Sequence, residues 1–122
     1  MKILGNIVWL VFGGALVAAE YIFASFLLVI TVVGIPFGLQ TLKLGLIALW
    51  PFGSVVVDGG GSSGCLPVVM NVLWILIGGF WICVTHLFFG LLLCLTIVGI
   101  PFGRQHFKMA ALALTPFGKS VV

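Results

Sequence analysis

Long apolar runs alternate along this chain with short, partly polar segments, and the same order occurs twice. Residues 3–33 are rich in Leu, Val, Ile, Phe and Ala, and residues 68–98 repeat that composition. Each run exceeds the ~20 residues that a transmembrane helix needs. The pattern therefore predicts two membrane helices. At 1.5 Å per residue, each would exceed the ~30 Å hydrocarbon core, so it must tilt, bend at its glycine pair or project beyond the bilayer.

A Gly-Ile-Pro-Phe-Gly pentapeptide follows each apolar run, at residues 34–38 and again at residues 99–103. Proline disfavours helical geometry in the residue before it, and glycine leaves the backbone free. The pentapeptide therefore predicts a hinge or tight turn, with Pro36 ending the first helix. The candidate hinge residues are Gly34, Pro36, Gly38, Gly99, Pro101 and Gly103.

A short helix is predicted after each break, over residues 39–50 in the first copy. Its polar residues, Gln40, Thr41 and Lys43, precede an apolar remainder. Twelve residues would span about 18 Å, too little to cross a bilayer. This helix is expected either to lie in the interface with its lysine snorkelling, or to enter the membrane as a re-entrant segment shielded by protein.

The chain consists of two copies of one module, and corresponding residues are sixty-five positions apart. Nearly half of the positions in residues 6–57 are identical to their counterparts, which indicates duplication. We therefore divide the chain into a first repeat, residues 1–57, a flexible loop, residues 58–67, and a second repeat, residues 68–122. The matching pairs include Asn6 and Asn71, Trp9 and Trp74, Thr31 and Thr96, Gln40 and Gln105, and Lys43 and Lys108.

Two arrangements of the repeats fit this pattern. If each repeat crosses the membrane once, the repeats run in opposite directions around a pseudo-two-fold axis. If each repeat crosses twice, they run parallel. The basic residues near both ends place both termini in the cytoplasm in either case. Lys43 would lie outside in the inverted arrangement and inside in the parallel one, and the inverted arrangement is slightly favoured.

Composition places the chain in a bilayer, because 63% of its residues are hydrophobic, 6% are charged and the mean hydropathy is +1.45. Five scattered basic residues are too few for a nucleic-acid surface. Three cysteines without a close pair support neither disulfides nor a metal site. With only two acids and two histidines, neither an enzyme nor a cofactor is expected.

The ordered motifs of the module resemble those of the YccF family of bacterial inner-membrane proteins. In both halves Asn-x-x-Trp, Gly-Gly, Gly-Ile-Pro, Lys and Ala-Leu-x-Pro-x-Gly follow one another within about fifty residues. The first copy departs at its end, where Trp50 stands in place of Thr115, and the loop is shorter than is typical of the family. The resemblance implies an all-α integral protein of the inner membrane and no particular activity.

Glu20 and His86 are the candidate functional residues inside the apolar runs. A charge at the bilayer centre costs about 2.5–3.5 kcal/mol on translocon scales, so an intramembrane carboxyl is a functional candidate by default. If the repeats are inverted, Glu20 and His86 can approach each other and form a proton- or ion-linked pair. The alternatives are a protonated carboxyl satisfied by a neighbouring helix or another subunit, and a carboxyl exposed at an interface because the glycines bend the segment.

The polar residues that recur in both repeats are the remaining candidates. Asn6 and Asn71 are expected to cap helices or bond between them. Lys43 and Lys108 would form rings of positive charge in an oligomer, which favour anions, or would snorkel to lipid phosphates. The four tryptophans are interpreted as aromatic belts at the interfaces.

Three functions are compatible with these sequence features. The first is a homo-oligomeric, channel-like pore that favours anions, because two to four crossings cannot enclose an aqueous path in one chain. The second is a non-conducting structural or interaction component of the membrane. The third is a small transporter with an inverted-repeat core. The partners expected are the lipid bilayer and further copies of the chain.

Overall fold

A computed structural model describes residues 2–32, 34–54, 56–58 and 65–121. Most of them are helical. The helices are α1 (Lys2–Trp9), α2 (Ala15–Ile30), α3 (Ile35–Leu49), α4 (Cys65–Trp74), α5 (Phe80–Cys94) and α6 (Ile100–Leu114). The strands are β1 (Val56–Asp58) and β2 (Lys119–Val121). Most of the loop predicted over residues 58–67, namely residues 59–64, lies outside the described residues.

Each predicted long helix is present with a π-helical segment inside it. Segment Leu10–Gly14 joins α1 to α2, and segment Ile75–Gly79 joins α4 to α5. The resulting long helices, Ile3–Ile30 and Cys65–Cys94, have mean hydropathies of 2.0 and 2.1 and are long and apolar enough to cross a membrane. Only the first is sharply kinked within its π segment, where Gly13 has φ = 112°.

The break between the long and short helices lies earlier than the sequence predicts. Helix α2 ends at Ile30 and α3 already begins at Ile35, so Pro36 starts the short helix and does not end the long one. A threonine makes the turn: the Thr31 hydroxyl donates to the Leu28 carbonyl and accepts from the Gly34 amide. Proline is favoured in a first helical turn, because its missing amide has no intrahelical partner there.

The second repeat makes the same turn with Thr96 and Gly99. In both repeats the glycine of the turn is required by space, since a Cβ at Gly34 or Gly99 would collide with the carbonyl of the preceding helix. The repeated Thr and Gly therefore specify this helix–helix connection.

Each short helix packs back along its own long helix and is clamped at the far end. The Asn6 side chain donates to the Phe52 carbonyl (3.0 Å) and accepts from the Phe52 amide (2.9 Å). The Trp9 Nε1 donates to the Ala48 carbonyl at 2.6 Å, which satisfies one of the open carbonyls at the end of α3. Each repeat is thus a helical hairpin that starts and ends at one level.

The second repeat has the same clamp. Asn71 exchanges the corresponding two bonds with Phe117, and Trp74 donates to Ala113 at 2.8 Å. Trp9 and Trp74 are fully buried, so their interpretation as interfacial belts is wrong. Trp50 and Trp81 are exposed. These motifs recur because they hold the hairpin together.

Contacts between the repeats join the early part of one long helix to the late part of the other. A Cβ placed on Gly13 would lie 2.7 Å from the Phe89 ring, and one on Gly78 would lie 2.7 Å from the Cβ of Ala24. These two close approaches are counterparts under the sixty-five-residue offset. Here the glycine pair permits close helix packing, as is common in membranes.

The strands β1 and β2 pair antiparallel, with Val56 opposite Val121 and Val57 opposite Ser120. They form a two-stranded sheet, so within the part of the chain that the structure describes the outer edge of each strand is open. The sequence analysis assigned Val56, Val57 and the residues of β2 to the repeat ends and Asp58 to the flexible loop, and it did not predict a strand.

Candidate functional site

Among the residues whose burial the structure describes, five polar or charged ones are buried inside the bundle, and four of them form two bonded pairs. The Ser25 and Thr41 hydroxyls are 2.6 Å apart, and the Nδ1 atoms of His86 and His106 are 2.9 Å apart. The fifth, Asn6, belongs to the clamp. Buried polar groups in an apolar bundle are costly unless they are hydrogen-bonded, so their pairing is a requirement of the fold.

The histidine pair depends on the kink in the first long helix. The Nε2 of His106 lies 3.0 Å from the carbonyl of Phe12, which has non-helical backbone angles (φ −103°, ψ 49°). Trp9 stacks on the His106 ring with centroids 4.0 Å apart, and Phe89 stacks on it at 5.8 Å. The kink of the first repeat and the histidine of the second therefore form one structural unit.

Hydrogen-bond chemistry fixes the protons of this pair when both rings are neutral. A carbonyl only accepts, so His106 must carry its proton on Nε2, which leaves its Nδ1 as an acceptor. His86 must then donate from Nδ1, and its Nε2 becomes a bare acceptor. That Nε2 is buried without a hydrogen-bond partner among the described residues.

Glu20 lies beside the residue that occupies its own position in the second repeat. The Thr85 hydroxyl donates to one carboxyl oxygen of Glu20 at 2.9 Å. The other oxygen is buried and has no hydrogen-bond partner in the described part of the chain. The predicted contact between Glu20 and His86 is not among the hydrogen bonds formed: Glu20 bonds to Thr85, and His86 bonds to His106. The physical reason is that Thr85 and His86 are adjacent on α5 and point to different neighbours, Thr85 to Glu20 on α2 and His86 to His106 on α6.

The two repeated lysines lie on the outside of the short helices. Lys43 and Lys108 are both exposed, near the middle of α3 and α6. Lys108 lines a groove of about 390 Å³ together with Val56 and Val57 of β1. Ile47, one helical turn beyond Lys43, lines the same groove. The lysines and strand β1 thus share one side of the bundle.

The long helices differ from the lysine-bearing side of the short helices, because their outward side chains are large and apolar. Such a surface is far larger than a water-soluble protein normally exposes, and it suits contact with lipid. The most exposed members along these helices include Val11, Phe23, Phe26, Leu76, Trp81, Phe88 and Leu91, each more than 60% exposed.

Sequence reasoning missed the role of His106. It lies in a basic stretch with Arg104, Gln105 and Lys108 at the start of the second short helix, and the sequence names no partner for it. Its counterpart in the first repeat is Thr41, which is also fully buried and hydrogen-bonded. A comparison of the two repeats could have marked this position as one that holds a polar group inside.

Fold and site together define a mostly helical protein, built from two hairpin repeats, with two helices long and apolar enough to cross a membrane. The chain matches the family model for the YccF inner membrane component domain twice, over residues 4–54 and 69–119. It belongs to this family. The family resemblance noted from the sequence motifs is therefore confirmed. The family and the two apolar helices support an inner membrane location.

Two curated relatives agree with this assignment. The chain is 28% identical over 130 aligned positions to the inner membrane protein YccF of Escherichia coli K12 and equally to that of Shigella flexneri. The alignments cover all of this chain and 88% of each relative. No solved structure matches the chain.

Proposed function

We propose that this chain is the subunit of a homo-oligomeric inner-membrane pore, and that its two repeats span the membrane in opposite directions. Support for the inverted arrangement comes from aromatic contacts at the hairpin ends. Phe37 lies 5.1 Å from Phe117 between ring centroids, and Phe52 lies 5.6 Å from Phe102. Each pair joins the turn end of one hairpin to the clamped end of the other. Parallel repeats would instead place corresponding residues at equal depth.

This arrangement constrains the segment that links the repeats. Phe52 is clamped beside Asn6, at the level where the first long helix begins, whereas the second long helix begins at the opposite end. The chain has to pass between these levels, and β1 forms part of its path. An open strand edge costs several kcal/mol per unpaired group in hydrocarbon, so it must face protein or water.

The observation that carries the proposal is the coincidence of this open-edged strand pair with the basic residues on one side. Lys108 shares its groove with β1, and Lys43 lies one turn from Ile47 of that groove. We call this side, formed by α3, α6, β1 and β2, the ribbon face. Turned toward the axis of an oligomer, the ribbon face would line an aqueous path with positive charge that favours anions, while the long helices contact lipid.

The positive-inside rule places the amino terminus of the chain in the cytoplasm, because Lys2 directly precedes the first long helix. Phe117 is bonded to Asn71 at the start of the second long helix, so the carboxyl end follows from the opposite side, and the proposal departs from the prediction that both termini are cytoplasmic.

The test is conduction in planar bilayers containing purified protein, with K43Q, K108Q and the double variant. The account predicts single-channel currents whose anion preference falls in each lysine variant and most in the double variant. E20Q serves as the control, since Glu20 lies on the long helices away from the ribbon face, and its ion preference should equal that of the parent. Absence of currents at high protein density, together with a monomer in mild detergent, would contradict the proposal.

A non-conducting interaction component is the second candidate, favoured by the filled interior of the monomer. Trp9, Trp74 and Tyr21 are fully buried in the centre of the bundle. A partner protein would therefore bind on the ribbon face. In that case another protein covers the ribbon face, and the bilayers stay silent. A transporter with inverted repeats would be recognised instead by saturable uptake into vesicles.

A further inference from the structure

The groove on the ribbon face is lined by both polar and apolar side chains. Its polar groups come from Gln105 and Lys108 of α6, from Thr115 directly after that helix, and from Ser54 before β1. The apolar lining includes Leu112 of α6, Ile47 of α3 and the two valines of β1. A ligand that fills this groove must therefore combine a polar group with an apolar body.

The charge of the groove lining indicates whether the polar group of the ligand is an anion or a cation. Lys108 is the charged residue of the groove lining, and the one carboxylate whose side chain the structure describes, Glu20, bonds to Thr85 on the long helices. The Gln105 amide, three residues before Lys108, adds a neutral donor beside the ammonium group. An ammonium with an adjacent amide donor suits a carboxylate oxygen.

We propose that this groove binds a small organic anion, namely a carboxylate with one short alkyl or aryl tail. The carboxylate would lie against Lys108 and Gln105, and the tail would lie between Leu112 and Val56. A volume of about 390 Å³ is at the small end of ligand sites, so it suits one short tail better than the two acyl chains of a phospholipid. The inference rests on the proposed function in one respect, since the anion reaches the groove from water on the ribbon face.

The two repeats differ at the residue that closes this site. Thr115 lines the groove, whereas Trp50 occupies the corresponding position in the first repeat. An indole at position 115 would fill space that threonine leaves open. The first repeat therefore suggests T115W as a variant that blocks the groove. It also provides a control position for Lys108, because Lys43 is the corresponding lysine.

The experiment measures binding of fluorinated octanoate by ¹⁹F NMR to the full chain in nanodiscs of zwitterionic lipid. We expect saturable binding, at least about tenfold weaker affinity in K108Q from loss of a charge-assisted bond, and no saturable binding in T115W. K43Q removes the same charge outside the groove and should bind like the parent. Heptyltrimethylammonium, with an alkyl tail of the same length and opposite charge, should not compete.

Several outcomes would overturn the inference. Equal binding by the parent, K108Q and empty nanodiscs would mean that octanoate partitions into lipid. Competition by the cation would mean that the tail alone binds. Phospholipid retained by the parent and lost in T115W, without octanoate binding, would assign the groove to lipid. Because binding is measured without current, octanoate binding in a silent protein refutes the pore alone, and currents without octanoate binding refute the groove alone.

Discussion

Glu20 accepts a hydrogen bond from Thr85, the residue at its own position in the other repeat. Two equivalent positions can touch only where an axis relating the repeats passes between them. The remaining contacts follow the same relation. Tyr21 stacks on Trp74 with centroids 6.0 Å apart, and their counterparts His86 and Trp9 lie 6.2 Å apart. The Glu20–Thr85 pair therefore marks the centre of the inverted arrangement that we propose.

The first prediction concerns the hydroxyl at this centre. T85V should lower the free energy of unfolding by about 0.5–2 kcal/mol, because one Glu20 oxygen loses its donor within an apolar surrounding. T85S keeps the hydroxyl and should retain most of the stability. The comparison is made by thermal unfolding in mild detergent. A loss of stability in T85S with stability retained in T85V would show that packing of the methyl group matters and the bond does not.

The second prediction concerns the kink. G13A should destabilise the protein by about 1–3 kcal/mol, since Gly13 has φ = 112° and a Cβ there would lie 2.7 Å from the Phe89 ring. G5A is the control, because a Cβ on Gly5 would make only an ordinary contact of 3.6 Å with Phe52. Detergent melting curves for the two variants should separate clearly. Similar melting temperatures would argue against a tight contact between the repeats at residue 13.

The third prediction concerns the coupling of the histidines. H106L leaves the Phe12 carbonyl and the Nδ1 of His86 without partners, and should cost about 2–4 kcal/mol. H86F alone should also be destabilising, because His106 then loses its donor. The double variant should cost less than the sum of the two single variants. Strictly additive losses in a double-mutant cycle would show that the rings do not interact.

Part of this architecture could be read from the sequence, because apolar length and repetition depend on local composition. Two long helices and two short ones follow from residues 3–33, 68–98 and the Gly-Ile-Pro motif. The family resemblance rested on Asn6, Trp9 and their repeats, whose structural role became clear only in the hairpin. The recurrence of an asparagine and a tryptophan indicates that their side chains matter to the module. It does not show which residues they bond to.

The rest depends on contacts between distant segments. The pairing of His86 with His106 joins residues on different helices, and the bond to Phe12 requires a kink that no single-residue preference specifies. The position of Pro36 was assigned to the wrong helix, because the sequence does not show that Thr31 already makes the turn. The strand pairing across Val56 and Val121 lies outside any helical pattern.

Cross-linking between phenylalanine positions tests the inverted arrangement most directly. In a chain with Cys65, Cys83 and Cys94 replaced by serine, cysteines at positions 37 and 117 should cross-link within one subunit in the native membrane. The Phe37 and Phe117 rings are in contact, with centroids 5.1 Å apart, and a bifunctional thiol reagent bridges the longer distance between the two shorter cysteine side chains. Cysteines at 37 and 102, which are equivalent positions of the two repeats, should not. Cross-linking of 37 with 102 and not with 117 would contradict the account, because it would place both turn ends on the same side of the membrane.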